Sequence, residues 1–200
     1  MPFNANNYEG RGENIFLSGV NFDLRTLTRE DALNSNWYDW FNDEQTCLTL
    51  QKHYFPNTPD MQLAFYEDMI KDKSKIQLGI VPKSNDELIG IVSLSFIDPI
   101  NRNAEFSIVI GDSKYRNKGT SVEALRLLFE HGFNTLNLHK IQGGSLEMLK
   151  SWVEMLKKTF GFTDEGFLAE HVYKDGKYIG AYRIGLLKTD FIEAIKKLDN

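Results

Sequence analysis

The amino-acid sequence predicts an α/β (α+β) protein built on one mixed, mostly antiparallel twisted sheet with helices on its faces. Three observations carry this. Strand-like and helix-like segments follow one another as strand, two helices, three strands, helix, strand, helix, two strands. One sheet covered by helices accommodates that order. The three central strands are joined by short polar turns, the signature of an antiparallel meander. Finally, 200 residues with 42% apolar and 26% charged side chains are enough for a single domain with a buried core.

Residues 1–13 are polar and rich in Asn and Gly, and read as a loose lead-in without the apolar run of a secretory signal. The lead-in is expected to span residues 1–15, the domain 16–188 and a tail 189–200. Residues 20–27 carry Phe22, Leu24 and Thr26 and predict the first strand. Thr28 with Asp31 three residues on predicts an N-cap, and the helix it opens is expected to run to Phe41 through Leu33, Trp37 and Trp40. Thr58 and Pro59 predict a second helix, to Lys73, with Met61, Phe65 and Met69 as its stripe. The loop between them, residues 45–57, holds Cys47, His53, Tyr54 and Phe55. It either covers a substrate site or packs on the core by its aromatics.

Strands are predicted over 76–81, 88–97 and 103–110, with turns at 84–87 and 98–102. Residues 118–133 predict a helix with Val122, Leu125, Phe129 and Phe133 on one stripe, followed by a short strand over 139–142. A further amphipathic helix is expected over 146–160, stopped by Gly161. Two strands joined at Asp175 and Gly176 (167–174 and 177–187) and a short tail helix over 189–198 complete the chain.

Composition removes several classes of function. A net charge of −5 argues against a general nucleic-acid binder, which needs a concentrated basic face. One cysteine excludes an internal disulfide framework and a cysteine-based zinc site, and the four histidines show no metal-ligand spacing. No window approaches the ~18 apolar residues of a membrane span, so the expectation is a cytoplasmic protein without metal, membrane or nucleic-acid partner.

One segment carries chemistry. A strand ends at Ile110, Gly111 and Asp112 break it, and Arg116, Asn117, Lys118, Gly119, Thr120 and Ser121 lead into a helix. Free N–H groups and the helix dipole at such a start attract anions, and a glycine with small residues lets a diphosphate approach. Arg116 and Lys118 add local positive charge. Neither a Walker loop nor the three-glycine dinucleotide fingerprint is present. Taken alone, a glycine before a helix is more often an ordinary turn.

This stretch resembles the acyl-CoA motif of the GNAT N-acetyltransferase superfamily, Arg/Gln-x-x-Gly-x-Gly/Ala, with Arg116 and Gly119 matching and Ser121 in place of the last small residue. The resemblance extends to Leu88-Ile89-Gly90, Ala104-Glu105, Ile110-Gly111-Asp112, Glu123-Ala124 and residues 136–141, which look like the branch of the ribosomal-protein alanine/serine N-acetyltransferases. Trp40-Phe41-Asn42 matches that branch's Trp-x-Asn. The likeness covers residues 20–188.

The resemblance implies acetyl-CoA as co-substrate, with Ile108 and Ile110 offering backbone groups to pantetheine and Asn117 to Ser121 offering N–H groups to the diphosphate. It implies attack by an amine on the thioester. Glu105 is the leading candidate for the base, against the plain alternative of an exposed or ion-paired strand charge. A backbone N–H near Ile110 would polarise the carbonyl. The tyrosine that many members use as acid is replaced by Lys157, and the branch's Asn-x-x-Ser is absent. Ser151 is the nearest hydroxyl, against the alternative of an ordinary helix serine, and Tyr173, Tyr178 and Tyr182 are further donors. Three acceptor readings follow: a small-molecule amine such as an amino-sugar nucleotide, a protein N-terminus, or none, in a non-catalytic acyl-CoA-binding module. Dimers are common among look-alikes, so a homodimer is an expectation from resemblance alone.

Overall fold

Residues 14–199 are described by the computed structural model, and the predicted lead-in of residues 1–13 lies outside them. The strands are β1 (Ile15–Ser18), β2 (Phe22–Thr26), β3 (Ile76–Pro82), β4 (Gly90–Asp98), β5 (Asn103–Ile110), β6 (Lys140–Leu146), β7 (Thr163–Lys174) and β8 (Lys177–Leu187). They form one sheet in the order β1-β2-β3-β4-β5-β6-β8-β7. Every neighbouring pair is antiparallel except β5 and β6. A parallel pair needs a crossover, and α4 (Thr120–Asn134) supplies it.

The remaining helices are α1 (Arg29–Asn34), α2 (Glu44–Cys47), α3 (Pro59–Met69), α5 (Lys150–Phe160) and α6 (Lys188–Leu198). The larger core joins the sheet to α4, α5 and α6 through Leu125, Leu128, Phe129, Phe133, Leu156, Phe160 and Phe191. Phe129 contacts Phe106, Phe160, Phe162 and Phe191 ring to ring, mostly edge to face. A smaller cluster of Leu27, Ala32, Trp37, Trp40 and Leu88 lies under α1 and α3 on the opposite face. No helix among the described residues is long and apolar enough to cross a membrane.

Four expectations are corrected. A strand, β1, begins at Ile15, inside the expected lead-in, and pairs with β2. The Thr28 capping box forms as predicted, but its helix stops at Asn34. Ser35 takes over the chain there: its hydroxyl donates to Asp31 O and accepts from Trp37 N–H. A separate 3-10 turn, Asp39–Phe41, then carries Trp40. On α3 the buried position is Gln62, whereas Met61 and Phe65 are exposed. The strand β6 is longer than expected and reaches Leu146, so α5 starts at Lys150.

Two carboxylates, Asp31 buried and Glu123 half-buried, fix the sheet's N-terminal margin. Asp31 grips Arg25 through two 2.8 Å bonds while closing the Thr28 cap. Glu123, on α4, accepts from the backbone N–H groups of Val20, Asn21 and Phe22 and from the Asn21 amide. Burial pushes the Glu123 carboxyl up, and these hydrogen bonds outweigh it, holding the group below the usual carboxylate range.

Candidate active site

The site follows from one break in the sheet. Pairing of β5 with β4 runs to Ile110, but pairing with β6 covers only Asn103 to Glu105. Beyond Glu105 the two parallel strands part, because β6 stays paired with β8 as far as Leu146. The gap opens into a cleft of about 1100 Å³ between Phe106 to Ile110 on one side and Gly144 to Leu146 on the other, closed at its ends by α4 and α5. In a strand that pairs on one edge only, alternate residues turn N–H and C=O groups into the open side.

At one end lies the start of α4. Asn117 and Gly119 both adopt left-handed backbone, φ 59° and 80°. A side chain at Gly119 would meet no atom within 4 Å, so the glycine answers a conformational need rather than a steric one. The helix has no side-chain cap, and its first backbone bond is Glu123 N–H to Gly119 O. The N–H groups of Thr120, Ser121 and Val122 therefore precede the intrahelical ladder, at the positive end of the helix dipole. The geometry fits an anionic group lying against this turn.

At the other end, side chains alternate along β5. Ala104 and Phe106 join the core under α4, whereas Glu105 and Ser107 face the α1–α3 side, where Ser107 bonds Ser93 at 2.8 Å. Glu105 meets Arg183 of β8 at 3.4 Å. This contact spans β6, and Gly144 clears the way: a Cβ there would stand 3.3 Å from Arg183 Nη1. Ser145, buried on β6, lines the cleft with a hydroxyl that has no hydrogen-bond partner.

The segment 45–52 forms one wall. It is held from both sides. Arg116 Nη2 donates to Thr46 Oγ1 at 2.8 Å, and the buried Lys174 ammonium donates to Cys47 O and Leu50 O at 3.1 and 3.2 Å. Asn42 and Asn57 tie its two ends together. Of the two alternatives for this loop, packing by its aromatics fails, since Tyr54 and Phe55 are exposed. Cys47 is buried, and desolvation pushes its thiol up.

The predicted residues sort clearly. Glu105, Ile108, Ile110, Arg116, Asn117, Gly119, Ser121 and Ser151 all line the one cleft. Arg116 does so in an unexpected manner. Its guanidinium is turned onto Ile110 O (3.0 Å) and Gly111 O (2.8 Å) as well as Thr46, so it locks the strand end to the wall. Lys118 is exposed and Thr120 is buried, with its hydroxyl on Tyr115 O; neither lines the cleft. Tyr173, Tyr178 and Tyr182 stand outside it too: Tyr173 and Tyr178 pack on each other at the hairpin end, and Tyr182 packs on the core. Sequence reading missed Ser145, Arg183, His171 and Lys52, which line the cleft from β6, β8, β7 and the wall. Among the described residues, no group of His, Cys, Asp or Glu gathers to hold a metal ion.

A parallel strand pair that splays beside an uncapped, glycine-led helix N-terminus defines an acyltransferase fold. Residues 21–180 match the model of the acetyltransferase (GNAT) domain, and the chain belongs to that family. It is an N-acetyltransferase. The spermidine N(1)-acetyltransferase of Escherichia coli K12 is 29% identical over 172 residues, 84% of this chain and 87% of that protein. An uncharacterized N-acetyltransferase, p20, of Bacillus licheniformis is 29% identical over 175 residues, 84% of this chain and 93% of that protein. The spermidine N-acetyltransferase of Vibrio cholerae, solved with CoA and spermine, superposes with TM-score 0.78 at 25% identity, covering 86% of this chain and 98% of that one. The relatives just described that have a named substrate act on polyamines, not ribosomal proteins.

Proposed function

We propose that this chain transfers the acetyl group of acetyl-CoA to the primary amine of a small molecule. The observation that carries this reading is the parting of β5 from β6 at Glu105, directly before the open start of α4. Pantetheine runs in the gap against backbone groups of Ile108 and Ile110. The diphosphate lies against N–H groups of residues 117–121, with Gly119 providing the approach. The amine reaches the thioester carbonyl carbon from the α1–α3 side. Its nitrogen forms the new C–N bond while Glu105 takes its proton, directly or through water. A β5 backbone N–H near Ile110 stabilises the oxygen as charge builds on it. The C–S bond then breaks with its electron pair on sulfur, and a hydroxyl donor or water supplies the thiol proton. Ser145 is better placed for that donation than the predicted Ser151, since its hydroxyl is buried in the cleft without a partner. Ser151 stands exposed in the first turn of α5.

A protein N-terminus as acceptor has no comparable support, because the relatives with a named substrate are spermidine acetyltransferases. The test is CoA release from acetyl-CoA, followed with a thiol reagent, over a panel of primary amines. Amine-dependent release with an N-acetylated product is expected. Acetyl-CoA binding without release for any amine or N-terminal peptide would leave only the binding-module reading.

A further inference from the structure

The cleft's charge is at odds with a polyamine. Spermidine at neutral pH is a polycation, and holding it takes several carboxylates. Among the described residues that line the cleft, Glu105 is the single carboxylate, against Lys52, Arg116, His171 and Arg183. Arg116 is consumed in binding Ile110 O, Gly111 O and Thr46. The other three basic residues stand on the wall, on β7 and on β8.

Arg183 is the telling one. The chain's other well-paired arginines hold carboxylates in a fork: Arg25 takes Asp31 through two 2.8 Å bonds, and Arg126 takes Asp199 through two more at 2.8 Å. Arg183 makes one contact, 3.4 Å to Glu105, with about a third of each side chain exposed. A guanidinium carries five donors in a planar fork suited to carboxylate or phosphate, and Arg183, which lines the cleft, uses one of them on a protein acceptor among the described residues. Lys52 has no carboxylate within ion-pair distance among the described residues; its ammonium lies 5.8 Å from the Phe41 ring. Glu147, next in sequence to the cleft-lining Leu146, is committed to Gly180 N–H at 2.8 Å. Lys52 also lines a smaller neighbouring cleft with Glu44, Lys174 and Asp175, and no ion pair joins it to either carboxylate among the described residues.

We infer that the acceptor is an amine that also bears an anionic group, a carboxylate or a phosphate, bound by Arg183, with Lys52 and His171 the other basic groups of the same cleft. This rests on the acetyl-transfer reading and narrows its substrate class. It also gives Arg183 a role in the reaction. The acceptor's anion takes the guanidinium, and the Glu105 oxygen that it held is freed to receive the proton of the attacking amine. Arg183 is thus a binding and positioning residue.

The test uses amines with one reacting end and different far ends: 4-aminobutyl phosphate, 4-aminobutanoate, butylamine, putrescine and spermidine. Each is titrated calorimetrically into the full chain, with and without CoA, and each is assayed for acetylation. The expected result is binding of the phosphate or carboxylate amine at least about tenfold tighter than butylamine, with putrescine and spermidine weakest. The acetylation rates should rank likewise, and the phosphate arm against the carboxylate arm identifies which anion is preferred. Arg183→Gln should compress the anionic advantage mainly in KM, and Lys52→Gln should compress it less. Tighter binding or faster acetylation of putrescine or spermidine than of both anionic amines overturns the inference while leaving acetyl transfer standing. Equal binding of all five overturns it as well. Loss of acetyl-CoA binding itself would strike the functional reading instead.

Discussion

Arg116→Ala separates two roles that one arginine can play at such a site. As a phosphate ligand it would contribute to CoA affinity and little to the empty protein. The structure shows it as a clamp, with three hydrogen bonds: to Ile110 O at 3.0 Å, and to Gly111 O and Thr46 Oγ1 at 2.8 Å. Hydrogen bonds to a charged group contribute about 1.5–3 kcal/mol each. The side chain is half-buried, so water replaces part of what truncation removes, and a loss of about 2–4 kcal/mol is expected for the set. For a chain of this size each kcal/mol moves Tm by about 2–4 °C, so the unliganded protein should melt on the order of 10 °C lower. Arg116→Lys should recover only a fraction, because one ammonium cannot span three acceptors in fixed directions. Thr46→Val should cost about 1 kcal/mol alone and less in the Arg116→Ala background, since the two share a bond. The assay is thermal and urea denaturation without ligand, beside calorimetric titration with acetyl-CoA. An Arg116→Ala protein that melts within about 1 °C of the parent but has lost affinity for acetyl-CoA would refute the clamp and restore the direct phosphate contact.

Three further outcomes are expected. Glu105→Gln should lower kcat by about 10²–10⁴-fold while acetyl-CoA binds as before, read by steady-state kinetics and calorimetry. Ser145→Ala removes a buried hydroxyl that has no partner. It should leave the unliganded protein as stable or up to about 1 kcal/mol more stable, yet lower turnover, a pairing that a structural serine would not give. Glu123 has a folded-state pKa held below its unfolded value. Its stabilising contribution is therefore fully present above the unfolded carboxylate value, about 4.3, and is lost as pH falls through the lower folded value. Denaturation between pH 7 and pH 3 should show that acid loss, and Glu123→Gln should flatten this part of the curve.

The elements that read well in the sequence are those whose signal is local. The Thr28 and Thr58 caps, the Asp175-Gly176 hairpin and the β5 boundaries depend on neighbours a few residues away. The missed pieces depend on partners far along the chain. The strand β1 is four residues long, and its turn is fixed by Glu123, about a hundred positions later. On α3 the core-facing residues are Leu63, Tyr66 and Met69 together with Gln62, which is buried and bonded to Asn57, so of the predicted stripe only Met69 faces the smaller core while Met61 and Phe65 are exposed. The site divides the same way. The turn from Arg116 to Ser121 is a contiguous motif and was legible. Arg183 comes to Glu105 only through the β6–β8 register and the absence of a side chain at Gly144. Ser145 is distinguished only by having no partner, a property that no linear pattern records.

The most direct measurement of the account is calorimetric titration of the full chain with acetyl-CoA, with CoA and 3′-dephospho-CoA alongside. The splayed strands and the open α4 turn predict saturable binding in the micromolar range, kept by 3′-dephospho-CoA because the diphosphate is the group the turn receives. Absence of binding at millimolar acetyl-CoA would contradict the assignment of the cleft and the transfer reaction built on it.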